Sequence, residues 1–243
     1  MYKTHPVFKP PADAAPLWRY MELSKFLALL EDQALFFARA DAMADKFEGA
    51  SGPATLVARS QLDRGVAAVL TQAASFNRLM TNFTYLNCWH ASKYESAAMW
   101  GLYQRDGCGL AIRSTFERLT ASMQSDLFIY AGVVEYIDYE SIPIPETNGY
   151  APYMHKRMSF EHEREVRAVI QDMGSGYEVY GNKKHVPLVP GLLIPVDLEH
   201  LVESVYVAPG AEEWFAKLVE KLVRRYGYKW PVCHSDLSRD PVY

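Results

Sequence analysis

The order in which strand-like and helix-like runs follow one another constrains this chain most. Short stretches rich in aromatic and β-branched residues, LWRYM (17–21), ALFFARA (34–40), TYLNCW (84–89), GLAIRS (109–114) and FIYAGVVEYIDY (128–139), have the composition of strands. Helical patterns of unequal length separate them. KFLALLEDQA follows LWRYM with Ser24 as N-cap, most of 54–80 is helical, and another helix follows Ser92. DAMADKFEGASG (41–52) and SIPIPETNGYAP (141–152) are loops by their Gly, Pro, Asp and Ser content. Further strands are expected at 164–170, near 191–196 and at 204–207. A last helix at about 211–226 carries Trp214, Phe215, Leu218, Leu222 and Val223 as its apolar stripe, with Gly227 closing it. No regular β-α-β rhythm emerges. The pattern therefore predicts an α+β fold, a single domain with a central mixed or antiparallel sheet flanked by helices, rather than a doubly wound parallel sheet.

Residues 1–16 hold four prolines and read as an extended N-terminal arm, leaving 17–243 as the single domain. With 49% hydrophobic and 22% charged residues, the 243-residue chain has the make-up of an ordinary globular protein. A formal charge of −4 gives no general attraction to phosphate backbones, so nucleic acid is not indicated as a partner. The sequence has no apolar run near the roughly 20 residues of a membrane span, and its first residues lack the apolar centre of a signal peptide. Together with three scattered cysteines, Cys88, Cys108 and Cys233, read as thiols, this predicts a cytoplasmic protein without a membrane partner.

Two stretches carry chemistry. NCWHASKYESAAMWGLY (87–103) contains Ser92 and Glu95 at capping-box spacing, and Met99, Trp100 and Tyr103 on one helix face. The capping pattern recurs at Ser114–Glu117. Cys88 and His90 leave the strand on the same face, but their spacing with Cys233 and His234 is too loose for a structural zinc site, and no metal is expected. His90 ends a strand just before a helix start, where exposed N–H groups favour an anion. In KRMSFEHEREVRAVI (156–170), a helical turn up to about Glu161 precedes a strand, so that Glu161, Glu163, Glu165 and Arg167 share a parity, with neighbours about 6.6 Å apart. Two readings stand. The segment is a solvated edge strand whose charges discourage aggregation, or it turns two carboxylates and a guanidinium into a cleft.

LWRYM, LFFARADAMADKFEGAS, NCWHASKYESAAMWGLYQRDGCGLAI and K-x-x-x-F-x-x-E-x-E-x-R resemble, in that order, the bacterial family called domain of unknown function 2971. The likeness runs over most of residues 17–230. The family's Asn-Asp-Pro-Phe-Glu motif becomes Ala44-Asp45-Lys46-Phe47-Glu48, so Asp45 and Glu48 are further candidates; Phe160 replaces a usual Trp. Lys156, Glu163, Glu165 and Arg167 take the motif's Lys, Glu, Glu and Arg positions.

More distantly, Arg19, the 87–103 segment and Glu163-Arg164-Glu165 resemble in order and type the site elements of ADP-ribosyltransferases, although no Ser-Thr-Ser-like element is present. That resemblance implies NAD as cofactor-substrate. Arg19, beside Tyr20, would hold the phosphates and Trp89, Trp100 or Tyr103 would stack on nicotinamide, with Lys156 and Arg167 completing the binding set. Glu165, with Glu163 and His90 as catalytic companions, would stabilise the oxocarbenium-like charge. Two other functions are weighed: a hydrolase of an anionic phosphoester, with Asp45, Glu48, Glu163 and Glu165 gathering a divalent ion and His90 as base, and a non-enzymatic anion- or nucleotide-binding module. In each the partner is a small nucleotide or anionic molecule.

Overall fold

The computed structural model describes residues 1–103 and 108–241. In chain order the first elements are β1 (Pro16–Glu22), α1 (Leu23–Asp32), β2 (Ala34–Arg39), α2 (Pro53–Ser60), α3 (Arg64–Met80), β3 (Thr84–Ala91) and α4 (Ala97–Tyr103). Then follow β4 (Gly109–Thr115), α5 (Phe116–Ser122), β5 (Tyr130–Val133), β6 (Glu135–Ile137), β7 (His155–Arg157) and β8 (Glu165–Gln171). The last are α6 (Met173–Tyr180), β9 (Gly191–Pro195), α7 (Leu198–Leu201), β10 (Ser204–Val207), α8 (Glu213–Arg225) and β11 (Val232–His234). This is the expected α+β class, a single domain with a mixed sheet flanked by helices. Its chain folds as two compact units built from discontinuous segments.

The first unit comprises Met1–Pro10, Phe36–Asn87 and Leu127–Leu192. Here β8 is flanked by β3 and β5, and runs antiparallel to β5 with Tyr130 opposite Val169 and Val133 opposite Val166. Being central, β8 buries six of its seven residues, which overturns the reading of this segment as a solvated edge strand. The run 128–139 is not one long strand. It breaks at Val134, whose N–H turns to Glu165 O, and continues as β6, which pairs in parallel with β7. Residues Met1–Pro10 lie along β5: Tyr2 bridges Ile129, Phe8 is buried, and a Cβ on Gly132 would stand 2.9 Å from Lys9 N, so only glycine lets the two backbones approach.

The second unit comprises Pro11–Leu35, Cys88–Asp126 and Leu193–Tyr243. Its strands run in the order β11-β10-β4-β1, with β1 matched to β4 along its whole length and to the end of β3 at Leu17↔Ala91 and Trp18↔His90. Apolar alternation puts Leu17, Ile112 and Val205 in the core, covered by Phe26, Leu29 and Leu30 of α1 and by Phe215, Val219 and Val223 of α8. Trp214 is not on that stripe; it is exposed, and its indole N–H donates to Glu212.

Three helix starts differ from the sequence reading. α1 begins at Leu23 with Glu22 in the cap position, so Ser24 lies inside the helix. α4 begins one turn after Ser92, where Ser96 Oγ accepts the Met99 N–H, while Ser92 Oγ accepts from Tyr94. Thr115 rather than Ser114 caps α5, accepting from Arg118 N, and Ser114 Oγ donates to Leu201 O at 2.6 Å.

Candidate functional site

The sequence-predicted site residues fall into two groups, one in each compact unit. In the first unit, β7 carries Lys156, a 3₁₀ turn spans Met158–Glu163, and Arg164 adopts a left-handed conformation (φ 41°) before β8 begins. That reversal brings Glu163 and Glu165 to the same ammonium: Lys156 Nζ donates to Glu163 and, at 2.5 Å, to Glu165 Oε1. Glu165 Oε2 accepts from Arg167 Nε (3.0 Å) and Nη2 (2.7 Å). The Arg167 guanidinium, fully buried, also donates from Nη1 to Glu48 Oε1 (2.5 Å) and to Tyr153 O (2.6 Å). The Glu165 N–H donates to the Tyr136 hydroxyl at 2.8 Å.

The loop that delivers Glu48 is fixed by the same segment. Asp45 Oδ1 accepts from Arg157 Nη2 at 2.7 Å and from the Phe47 N–H at 3.0 Å, and the Arg157 guanidinium lies over the Phe47 ring at 4.5 Å. The Lys156 ammonium lies 4.7 Å from the centroid of the Phe160 ring. Glu161 does not join the group and is exposed.

Two cations here face three carboxyl groups, and the surroundings of the three differ. Burial pushes Glu165 upward, but Arg167, Glu163 and Lys156 outweigh it and hold the carboxylate well below its usual range. Burial, together with the hydrogen bond to Glu165, raises Glu163 to about 7 despite Lys156. Burial also raises Glu48 against the pull of Arg167. Lys156 is lowered by burial but held above its ordinary value by Glu165 and Glu163. Exposure divides the pair in the same way, with the Glu163 side chain 20% exposed and that of Glu165 6%.

In the second unit, strand alternation divides the predicted residues between two faces of the sheet. Trp18 and Tyr20 face one way with His90, which is paired with Trp18; Tyr20 meets His90 at 6.1 Å and Trp100 at 4.9 Å between ring centroids, both edge-on. Trp18, Tyr20, Met99 and Trp100 form a core cluster against which Tyr103 packs. Trp100 Nε1–H donates to Glu95 Oε2 (2.9 Å), and Tyr20 OH accepts the Ser96 N–H (2.8 Å), with burial pushing the phenol up to about 12. Arg19 projects to the other face, with its guanidinium carbon 5.8 Å from the Trp89 ring centroid. Its Nη1 is buried and has no hydrogen-bond partner among the described residues. Burial lowers the Arg19 pKa from its ordinary value, with Cys88 and Tyr103 opposing.

Sequence reasoning missed Tyr136, Tyr153 and Arg157, whose parts depend on long-range pairing. Among the described residues no group of three or more His, Cys, Asp or Glu is arranged to hold a metal ion. No described helix is long and apolar enough to cross a membrane.

No protein-family model matches the chain and no curated protein matches it, so the expected membership of domain of unknown function 2971 finds no support there. Among solved structures, the chain is similar to Thermus sp. 2.9 DarT in complex with NAD+, at TM-score 0.43 and 9% identity, covering 96% of this chain and 100% of that one. The complex of the same protein with ADP-ribosylated ssDNA gives TM-score 0.43 and 10% identity, covering 96% and 99%.

Proposed function

We propose that the chain is an ADP-ribosyltransferase-like enzyme that takes NAD as substrate and cleaves its glycosidic bond to nicotinamide. The observation that carries this reading is the buried Nη1 of Arg19 beside the Trp89 ring, without a hydrogen-bond partner among the described residues. A buried donor without an acceptor costs about 1–3 kcal/mol, more when charged, and an anionic oxygen from a ligand removes that cost. The guanidinium fork matches phosphate geometry.

The acidic group of the first unit, taken by itself, has a second property that the chemistry calls for. As the bond to nicotinamide breaks, positive charge develops on the ribose, and a fixed negative charge lowers that barrier. Glu165 keeps its charge because Arg167 and Lys156 hold it ionised, but its two oxygens already accept from those residues. Glu163 is the more exposed carboxyl and is close to half-ionised at neutral pH, which suits it to take the proton of an attacking hydroxyl or water as nicotinamide leaves. We therefore assign Glu163 as the carboxylate that works on substrate and Glu165 as its ionised partner.

Isothermal titration with NAD, joined to a measurement of released nicotinamide, tests the reading. Arg19→Ala is expected to weaken NAD binding at least tenfold, the equivalent of about 1.4 kcal/mol. Glu163→Gln is expected to abolish nicotinamide release while leaving NAD affinity within a few-fold. Absence of binding at millimolar NAD ends the proposal, and NAD binding without any nicotinamide release leaves a binding module.

A further inference from the structure

The first compact unit contains a cavity of about 410 Å³ whose residues belong to neither group described above. One wall is the C-terminal half of α3, with Phe76, Asn77 and Met80; the opposite wall is the loop at 146–150; Gln171 and Met173 close the end. The volume lies in the range of small-molecule sites, about 300–1,000 Å³.

The loop wall is held rigidly from behind. Glu146 is paired with Arg59, whose Nε donates to its Oε2 at 2.9 Å. Asn148 Oδ1 accepts the Tyr150 N–H at 2.9 Å, and the Tyr150 ring packs edge-on against His5, Phe8 and Tyr130 at 5.2–5.4 Å. The cavity is therefore preformed, and its only charged lining group is already neutralised.

Among its polar lining groups are the carboxamides of Asn77, Asn148 and Gln171. Gln171 is oriented by the donation from its Nε2 to Thr84 Oγ1 (3.1 Å). The half-buried Asn77 carboxamide is one of the lining groups, and its Oδ1 would lie 3.2 Å from a Cβ placed on Gly149. An Asn carboxamide presents a donor and an acceptor side by side, the pair that reads the N6/N7 edge of adenine. Phe76 and Met80 supply the apolar surface a flat ring needs, and the absence of an unpaired charge selects against an anion.

We propose that this cavity binds an uncharged purine nucleoside through the Asn77 carboxamide, with Phe76 and Met80 against the base. Adenosine serves as the probe in isothermal titration of the full chain, since it carries no phosphate. Saturable binding is expected, weakened at least tenfold by Asn77→Ala and by Gly149→Val, which crowds the Asn77 carbonyl without meeting backbone. Far-UV circular dichroism and melting temperature of both variants are compared with the parent, so that a lost fold is separated from a lost site. Arg19→Ala is expected to leave adenosine affinity unchanged, whereas it weakens NAD if the functional reading above is right, so the two proposals fail separately. Lack of saturation at millimolar adenosine overturns the proposal. So does binding that survives both cavity substitutions, or that disappears in Arg19→Ala.

Discussion

Arg167→Met removes the charge at the centre of the buried network while filling much of the same volume, and its effect follows from the geometry. The fully buried guanidinium donates twice to Glu165 Oε2, once to each oxygen of Glu48 and once to Tyr153 O. Both partner carboxylates are nearly as inaccessible, with side chains 3% and 6% exposed, so the variant strands them in low dielectric with only Lys156 near. Breaking a buried pair from one side costs about 3–5 kcal/mol, a large share of the about 5–15 kcal/mol that stabilises a typical domain.

The loss must depend on pH, and its sign is fixed. In the parent, Glu165 is held below its usual range, so it contributes stability present above the unfolded carboxylate value of about 4.3 and lost as pH falls. In the variant, Glu165 is pushed up instead and Glu48, already raised in the parent, is pushed up further, and their stability is lost as pH rises through the raised values. The gap between parent and variant is therefore widest near neutrality and narrows in acid. Urea unfolding followed by tryptophan fluorescence, at about pH 7.5 and about pH 5, is expected to give a difference of about 3–5 kcal/mol at the first and clearly less at the second, with unchanged m values. A difference under about 1 kcal/mol, or one equal at both pH values, refutes the reasoning.

Glu163→Gln probes the other member of the pair. A carboxyl raised to about 7 contributes stability that is complete below about pH 4.3 and lost as pH rises through 7, so the glutamine variant gains on the parent, by on the order of 1 kcal/mol, between pH 5.5 and pH 8. Melting temperatures of both proteins across that range check it, and parallel curves contradict it. Gly132→Ala places a Cβ 2.9 Å from Lys9 N and 3.0 Å from Lys9 O; about 1–3 kcal/mol of destabilisation is expected, with faster proteolytic cleavage within Met1–Pro10, and an unchanged cleavage rate counts against the close approach.

The strands were legible because each is short and aromatic or β-branched: LWRYM is β1 and TYLNCW opens β3. The break at Val134 was not, because nothing in FIYAGVVEYIDY marks where the chain exchanges β8 for β7 as its partner; that choice belongs to residues twenty or more positions away. Ser92 and Glu95 have capping-box spacing, yet Glu95 spends its oxygens on the Trp100 indole and on the Asp236 N–H, a residue 141 positions distant, and the helix start moves to Ser96. Trp214 shows the same limit on a helix: the indole finds an acceptor in Glu212 and stays outside, and Phe215, Val219 and Val223 at i, i+4 and i+8 make the buried face. For the acidic segment, residue types and sequence order identified the participants, but burial was invisible. It depends on Glu48 meeting Arg167 across 119 positions.

Residue types also left open which glutamate would work on a substrate, and the environment bears on that choice. A purely structural network would have no use for a difference between Glu163 and Glu165, since both accept from the same Lys156 ammonium. Yet Arg167 grips only Glu165, and Glu163 retains more solvent contact. One carboxyl is thereby kept as a permanent anion and the other is left to exchange its proton near neutrality, a division that acid–base chemistry requires and packing does not. Lys156 couples the two states, because each proton taken by Glu163 frees the ammonium to lean on Glu165. The proposed role of Glu163 as the working carboxylate rests on that asymmetry, and Glu163→Gln and Glu165→Gln are expected to differ: the first removes the titrating carboxyl, the second removes the charge that Arg167 and Lys156 pair with.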